Sequence, residues 1–417
     1  MRTLILSITT CFYFVAATTQ AALNIPGADG SDGPLHVTAN QVINLSQAVD
    51  GDWDAPNDDY AGRGVYDKNQ WAVVFKYSSV TVDAGATLTF TNHLSRAPVV
   101  WLVSGDVTID GSVNLNGKNW LSAPDLAEPG PGGFRGGTGC YTYGACSSPG
   151  FGVGGGNTAS GQGYGGSYGD TGSNGPATYG NPSLIPLIGG SGGGGDPDKV
   201  NGGGGGGGGI LIASAGTLTV HGSIVANGGS GYKSSFEQSG GGSGGGVRLV
   251  ADNLAGSGTL SAVGGGGYNS GGLGRIRIEY ITEEDGSDIQ VTPSPSVVKL
   301  ADPSTALIWP PADGPSVRIL TIGEQVVPDD PLASFGTYGA DAVIPEASST
   351  LVIVETTNVE EASLVQVRVT PRTNAGYSTR NATLESVISE DPKVIHWVAD
   401  IPVKVGYSAV QVKVVRP

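Results

Sequence analysis

The carboxylates at Asp50, Asp52, Asp54, Asp58 and Asp59 fall in one short polar stretch, Asp50-Gly-Asp-Trp-Asp-Ala-Pro-Asn-Asp-Asp59. Alternating carboxylates of this kind suit a hard cation such as calcium, which takes six to eight oxygen ligands. The stretch is not an EF-hand, because Ala55 stands where the turn glycine belongs and Ala61 where the bidentate glutamate belongs. Asp29-Gly-Ser-Asp32 is a second, shorter set. A solvated polar loop accounts for both sets without an ion. Structural calcium is therefore the one cofactor the sequence leaves open.

Cys140 and Cys146 are the two cysteines left once the N-terminal leader described below is set aside. Their spacing is not that of a CxxC pair, and His36, His93, His221 and His396 are too scattered to complete a zinc set. In an oxidising compartment they are expected to form a disulfide that staples a short loop. Between and around them stand Trp120, Tyr141, Tyr143, Tyr164, Tyr168 and Tyr179. Aromatic rings on glycine-supported loops, with Asn and Asp nearby, are the mixture that stacks on sugar rings and hydrogen-bonds their hydroxyls. The competing role for each ring is packing of the tract that carries it.

What must position these groups is mostly glycine. Of the 71 glycines, 54 lie between Gly130 and Gly274, with an unbroken run from Gly202 to Gly209. No strict three-residue repeat runs through them, so a collagen triple helix is excluded. The residues that punctuate the tract repeat instead. Val107-Thr-Ile-Asp-Gly-Ser-Val-Asn-Leu-Asn-Gly117 recurs as Leu218-Thr-Val-His-Gly-Ser-Ile-Val-Ala-Asn-Gly228, and more loosely as Ser257-Gly-Thr-Leu-Ser-Ala-Val-Gly264. Each copy reads as two short alternating strands around a tight turn, preceded by an apolar strand at 99–103, 210–213 and 247–251. Residues 80–90 look like an earlier copy and 275–280 like the opening strand of a last one.

Units of this size cannot bury an apolar side alone, whereas stacked units share a core. The spacing predicts a right-handed parallel β-helix over 80–291, with Ile109, Val220 and Leu260 in one interior column. Insertions such as 118–208 should leave one corner of successive coils and gather on one side. Residues 22–79 read as an N-terminal cap or entry segment, and the proline-rich stretch 292–315 as a linker or capping strand. Beyond it, alternating runs at 317–322, 351–355, 364–369, 382–388, 394–401 and 409–415 predict a β-sandwich over 316–417, with Trp397 as core anchor. The fold class expected is all-β.

Met1-Arg-Thr, the apolar stretch 4–17 and Thr19-Gln-Ala21 read as a signal peptide over 1–21, so the chain is expected to be secreted or held at a cell surface. No later stretch of the 417 residues has the length of a membrane span. A formal charge of −16 excludes a nucleic-acid footprint, which needs clustered Lys and Arg.

The segments Val107-Thr-Ile-Asp-Gly-Ser-Val113 and Gly208-Gly-Ile-Leu-Ile-Ala-Ser-Ala-Gly-Thr-Leu-Thr-Val-His-Gly-Ser-Ile224 resemble the coils of exported, glycine-rich bacterial proteins with a pectin-lyase-like β-helix. The resemblance covers residues 80–280 and implies a fold and an address, since most such proteins have no assigned activity. The polygalacturonase-like branch implies Asn-Thr-Asp, Asp-Asp, Gly-His-Gly and Arg-Ile-Lys in that order. Here Asp58-Asp59 precedes the coils, His221-Gly222 lacks the leading glycine, Arg275-Ile-Arg277 departs from the last motif, and Asn-Thr-Asp is missing. A polysaccharide lyase or hydrolase is thus the weaker expectation. The stronger one is a non-enzymatic surface, matrix or adhesive protein that engages polysaccharide or other copies of itself. Thr87, Thr89, Thr91, Thr217 and Thr219 also fit an ice-binding ladder, which does not persist into the later repeats.

Overall fold

The computed structural model describes residues 23–55, 61–140, 146–159, 161–234, 238–332, 339–345, 349–373 and 376–417. The fold is all-β, and no α-helix occurs among the described residues. The expected leader at 1–21, and Asp58, Asp59, Tyr141 and Tyr143, lie outside the described residues.

Two sheets of stacked parallel strands form the first part. In the longer sheet, Ala72–Tyr77, Val99–Val103, Gly209–Val220, Gly246–Ala255, Arg275–Glu283 and Ser296–Lys299 lie side by side in parallel. Phe75, Trp101, Ile212, Leu249, Ile278 and Val297 occupy one register position through it. A second set of strands in the same sheet aligns Val37, Val82, Ile109 and Val220. Val65–Asp67 pairs antiparallel with Ala72–Tyr77, and Val49–Asp50 pairs parallel with Val65–Asp67 at the sheet's end. The shorter sheet stacks Gln41–Asn44, Thr87–Thr91, Ser112–Asn114, Ser223–Val225, Thr259–Ser261 and Gln290–Thr292, also in parallel.

Two expectations are corrected here and a third is narrowed. Leu260 does not share the column of Ile109 and Val220; it aligns with Leu88, Val113, Ile224 and Val291 in the shorter sheet. The loose third copy had kept the second strand of the unit and lost the first, which is Leu254 and Ala255 opposite Leu218 and Thr219. All three residues still meet in one buried cluster between the sheets. The stack also begins at Pro34 and not at residue 80, because Pro34–Val37 and Gln41–Asn44 already pair with Ser79–Val82 and Thr87–Thr91. Of the two readings of the proline-rich stretch, the strand is the one seen. Ser296–Lys299 extends the longer sheet, and Ala306 and Ile308 are buried with Leu23 and Ile25 against the sheet's outer side, on Val74, Val100, Leu102, Leu211 and Val250. The strands at 72–77 and 99–103 are apolar at every position but Lys76 because both of their faces are covered.

The glycine tract is ordered and follows a period of three. Amides of Gly202, Gly205 and Gly208 donate to Leu121, Lys118 and Leu115; those of Gly203, Gly206 and Gly209 donate to Gly137, Phe134 and Pro131; those of Gly204 and Gly207 donate to Gly240 and Ser243. Each step of three along 202–209 therefore meets the same neighbour, three residues further along it. A polyproline II helix has three residues per turn and no internal hydrogen bonds, so its amides point in three directions and are free to join three neighbouring chains. The 189–196 and 240–246 segments do the same: Gly190, Gly193 and Asp196 donate to Gly207, Gly204 and Asn201, and Gly242 and Gly245 donate to Gly229 and Ala226. At several of these contacts only glycine fits. A Cβ on Gly204 would lie 1.9 Å from the Gly229 carbonyl oxygen, and one on Gly207 would lie 2.0 Å from that of Ala226.

The C-terminal residues form two antiparallel sheets. Ser316–Ile322, Gln325–Val326, Ser349–Thr357, Thr383–Glu390 and Lys393–Pro402 make one; Leu364–Pro371, Ser378–Asn381 and Ser408–Val415 make the other. Val352, Val354, Val365, Val367, Ile395 and Trp397 share one buried cluster. Trp397 is satisfied there by donating from Nε1 to Thr356 Oγ1 at 2.8 Å.

Candidate functional site

The outward side of the shorter sheet carries an uncharged polar array. Because side chains alternate along a strand, Thr87, Ser112, Ser223, Thr259 and Gln290 form one row across the stack, and Thr89, Asn114, Val225, Ser261 and Thr292 the next. The chain then leaves the sheet for the glycine bundle without losing register. Thr217 meets Asp106, His221 meets Asp110, Ser223 meets Ser112, Asn227 meets Asn116 and Ser230 meets Asn119, each pair 111 residues apart.

This register fixes the side chains. Asn116 Oδ1 accepts the Asn227 amide at 2.7 Å, Asn119 Oδ1 accepts that of Ser230 at 2.9 Å, and Asn227 Oδ1 accepts the Val263 amide at 2.9 Å and the Ser261 hydroxyl at 2.7 Å. With each oxygen committed along the stack, the amide NH₂ groups remain as donors. Ser112 and Ser223 join through their hydroxyls at 3.0 Å. None of these side chains is charged, although the molecule carries −16. Adjacent strands lie about 4.8 Å apart, so hydroxyls and carboxamides repeat at that step along the stack. The exposed pairs His36–Asp83 and His221–Asp110 mark the turns at 83 and 110, and such pairs contribute little energy.

Trp120 packs edge to face on Tyr232, with ring centroids 4.6 Å apart, and its amide donates to Ser230. Both rings are half-buried beside the row of Asn119 and Ser230. Tyr232 escaped the sequence reading; the 111-residue register, which sets Gly231 beside Trp120, is the signal that identifies it. Tyr164 is half-buried as well, but no ring contact joins it to Trp120. Its carbonyl accepts the Gly194 amide inside the bundle.

Tyr168 and Tyr179 sit elsewhere, and their position corrects the sugar-stacking expectation for them. Tyr168 is fully buried and Tyr179 nearly so, packed on each other at 4.7 Å with Leu184. Tyr179 donates to the Gly189 carbonyl and accepts from Ser191, and Arg275 lies over the Tyr168 ring. Burial raises both phenols well above their usual range. These rings hold the bundle together and offer no open face.

Asp50, Asp52 and Asp54 are exposed, and Asp52 Oδ1 accepts the Asp54 amide at 3.1 Å, a local turn. Among the described residues, no three His, Cys, Asp or Glu side chains gather as a metal site. Asp29 and Asp32 have a different task. Lys76 has only 4 % of its side chain exposed, and its Nζ donates to Asp29 at 3.3 Å and to the Ala55 carbonyl at 3.1 Å. Asp32 accepts the amides of Gly62 and Lys76. Partial burial raises the Asp29 carboxyl, but its bonds from Ser31 and the Lys76 ammonium hold it below the usual carboxylate value. The pair neutralises a buried lysine, which would otherwise be costly.

Cys140 and Cys146 are joined, with Cα atoms 5.1 Å apart, inside the glycine bundle. Arg275 donates to the Tyr179 carbonyl, and Arg277 donates to Glu279 and Ser296, so both act as structural ties. Comparison with protein-family models, curated proteins and solved structures finds no match to this chain.

Proposed function

We propose that this chain is an exported, non-enzymatic surface or matrix protein: a right-handed parallel β-helix carrying a rigid glycine bundle, followed by a β-sandwich, and holding neutral polysaccharide on its flat polar face. The reading of the first domain is supported by the parallel register of successive repeats, and its handedness by the near-universal right-handed crossover between parallel strands of one sheet. The sandwich reading is supported by two antiparallel sheets sharing the cluster around Trp397. Export rests on the leader-like residues 1–21.

The carrying observation is the Asn116–Asn227–Val263 ladder, in which each asparagine is locked by the next repeat. Preorganised donors lose little entropy on binding, and an uncharged array suits a ligand whose own surface is hydroxyls. Trp120 and Tyr232 add ring surface at one end. Among the described residues, the strands Gln290–Thr292 and Ser296–Lys299 pair on one side only, an edge through which further copies would add. An ice-binding reading finds less support, because the threonine column Thr81, Thr108, Thr219 is bounded by His36 and Ala255.

Co-sedimentation with insoluble cellulose and chitin tests the proposal. The protein is expected to pellet with at least one of them and to be released by Thr259→Arg, which sets a long cation in the middle of the face. Failure to bind any neutral polysaccharide, or binding unchanged in Thr259→Arg and Trp120→Ala, would remove the reading. Thermal hysteresis without glycan binding would replace it.

A further inference from the structure

Four asparagines of the ladder are all turned the same way. Asn114 Oδ1 accepts the Asn116 amide at 2.9 Å, Asn116 Oδ1 that of Asn227 at 2.7 Å, Asn119 Oδ1 that of Ser230 at 2.9 Å, and Asn227 Oδ1 that of Val263 at 2.9 Å. A backbone N–H can meet only the oxygen of a carboxamide, so each side chain is held with its NH₂ end turned away from that bond. Among the described residues, these four NH₂ groups meet no acceptor, and none of them is shut away from solvent. The hydroxyls beside them are engaged as well: Ser112 accepts from Ser223, and Ser261 donates to Asn227 Oδ1 at 2.7 Å. What the ladder leaves for a ligand is a set of donors.

The donors come at a fixed interval. The carbonyls of Leu115, Lys118 and Leu121 accept from Gly208, Gly205 and Gly202, and the amides of Gly117 and Trp120 donate to Asn227 and Ser230. That period of three makes 115–121 another polyproline II strand, in which residues three apart face the same way about 9 Å from each other. Asn116 and Asn119 are such a pair, both bonded to the 227–230 segment. Beside the second of them lies ring surface, the Trp120–Tyr232 pair.

A sugar hydroxyl is donor and acceptor at once, so against a row of donors it uses only half of its bonding capacity. The carbonyl oxygen of an acetamido group only accepts, and it matches such a row in full. An anion would accept as well, but it would enter the field of a molecule carrying −16. We propose that the face selects a β-1,4-linked chain of N-acetylated hexosamine. Its acetamido carbonyls lie on the NH₂ groups of Asn116, Asn119 and Asn227, and an acetamido methyl at one end lies on the rings of Trp120 and Tyr232. Each ring of such a chain is turned over relative to the last, so one edge offers an acetamido group at every second ring, an interval comparable to that between Asn116 and Asn119. The selection presupposes the polysaccharide-holding role proposed above and narrows it to one substituent at C2.

Titration calorimetry of the full chain with two β-1,4-linked hexamers, one of N-acetylglucosamine and one of glucose, tests the selection, because the two differ only at C2. The N-acetylated hexamer is expected to bind at least about tenfold more tightly. Asn116→Asp with Asn227→Asp keeps the oxygens that the stack uses and replaces each NH₂ by a second acceptor. The double variant should bind the N-acetylated hexamer roughly tenfold or more weakly, with its melting temperature nearly unchanged, a split that a purely structural ladder would not give. Pelleting with chitin or with isolated peptidoglycan then identifies which source of such chains the face takes, and either result supports the proposal. Equal affinity for the two hexamers would overturn the selection while leaving polysaccharide holding intact. A preference for the N-acetylated hexamer that survives the double substitution would overturn the assignment to these asparagines, and no binding of either hexamer would overturn both the selection and the role it presupposes.

Discussion

Arg368, in the C-terminal sheets, donates from Nη2 to the carbonyl of Gly155 in the glycine bundle at 3.0 Å. The same guanidinium reaches Gly150 and Val153, bonds Thr370, and lies 3.6 Å from the Tyr377 ring centroid. It is buried with no carboxylate among these partners, and burial draws its pKa down to about 10. Tyr66 makes another side-chain tie of this kind, donating to Asp330 at 2.7 Å. Replacing Arg368 with Met strands three buried carbonyls and should cost roughly 3 kcal/mol. Limited proteolysis should then release the C-terminal residues from an otherwise resistant core. A resistant, equally stable Arg368→Met variant would show that the contact does not hold the two parts together.

Gly204→Ala should destabilise the protein by about 3 kcal/mol or more, because the new Cβ falls 1.9 Å from the Gly229 carbonyl oxygen and the bundle has no slack there. Gly266→Ala is the control. Its nearest neighbour would be Ser230 Oγ at 3.6 Å, so the change should be close to neutral. Thermal unfolding of the two variants distinguishes a packed bundle from a loose tract, in which both would behave alike.

His93 is buried against the Tyr66 ring at 4.1 Å, and bonds Ser95 through Nδ1 at 2.9 Å. Burial lowers its pKa, an effect that the nearby carboxylates Asp50 and Asp330 only partly offset. The folded state thus binds its proton later than the unfolded chain does. The stability that neutral His93 supports is complete above the unfolded value of about 6.5 and is lost as pH falls from there through the lower folded value. Denaturant midpoints should drop between pH 7 and pH 5, and His93→Gln should flatten that slope.

Reducing the Cys140–Cys146 bond should cost about 2 kcal/mol by the chain-entropy estimate for a short loop, felt in the bundle first. Hydrogen exchange of the 192–196 amides should accelerate on reduction, while those of the strand Val99–Val103 keep their protection.

Much of the stack was legible because each repeat carries its own alternation of aliphatic and polar residues. The six C-terminal strands were legible for the same reason. Leu260 was misplaced because the third repeat is interrupted before its second strand, and only pairing with Ile224 reveals which sheet it joins. The pairing inside the bundle was out of reach: whether Gly204 meets Gly240 or Gly229 depends on partners 25 to 36 residues away, and glycine has no side chain to announce them. Tyr168 and Tyr179 read as sugar platforms because nothing local distinguishes a ring above a glycine tract from one beneath it. The ladder face was hidden by the same distance, since its 111-residue register spans the whole insertion.

The glycine tract is a hydrogen-bonded bundle that continues the register of the stacked strands beside the polar face. Residue-resolved amide exchange over 202–209 tests it most directly. The bundle predicts protection for all eight amides comparable to that of the strand Val99–Val103, because each donates to a neighbouring segment. Exchange of these glycines at the rate of an unstructured chain, while Val99–Val103 stays protected, would contradict it.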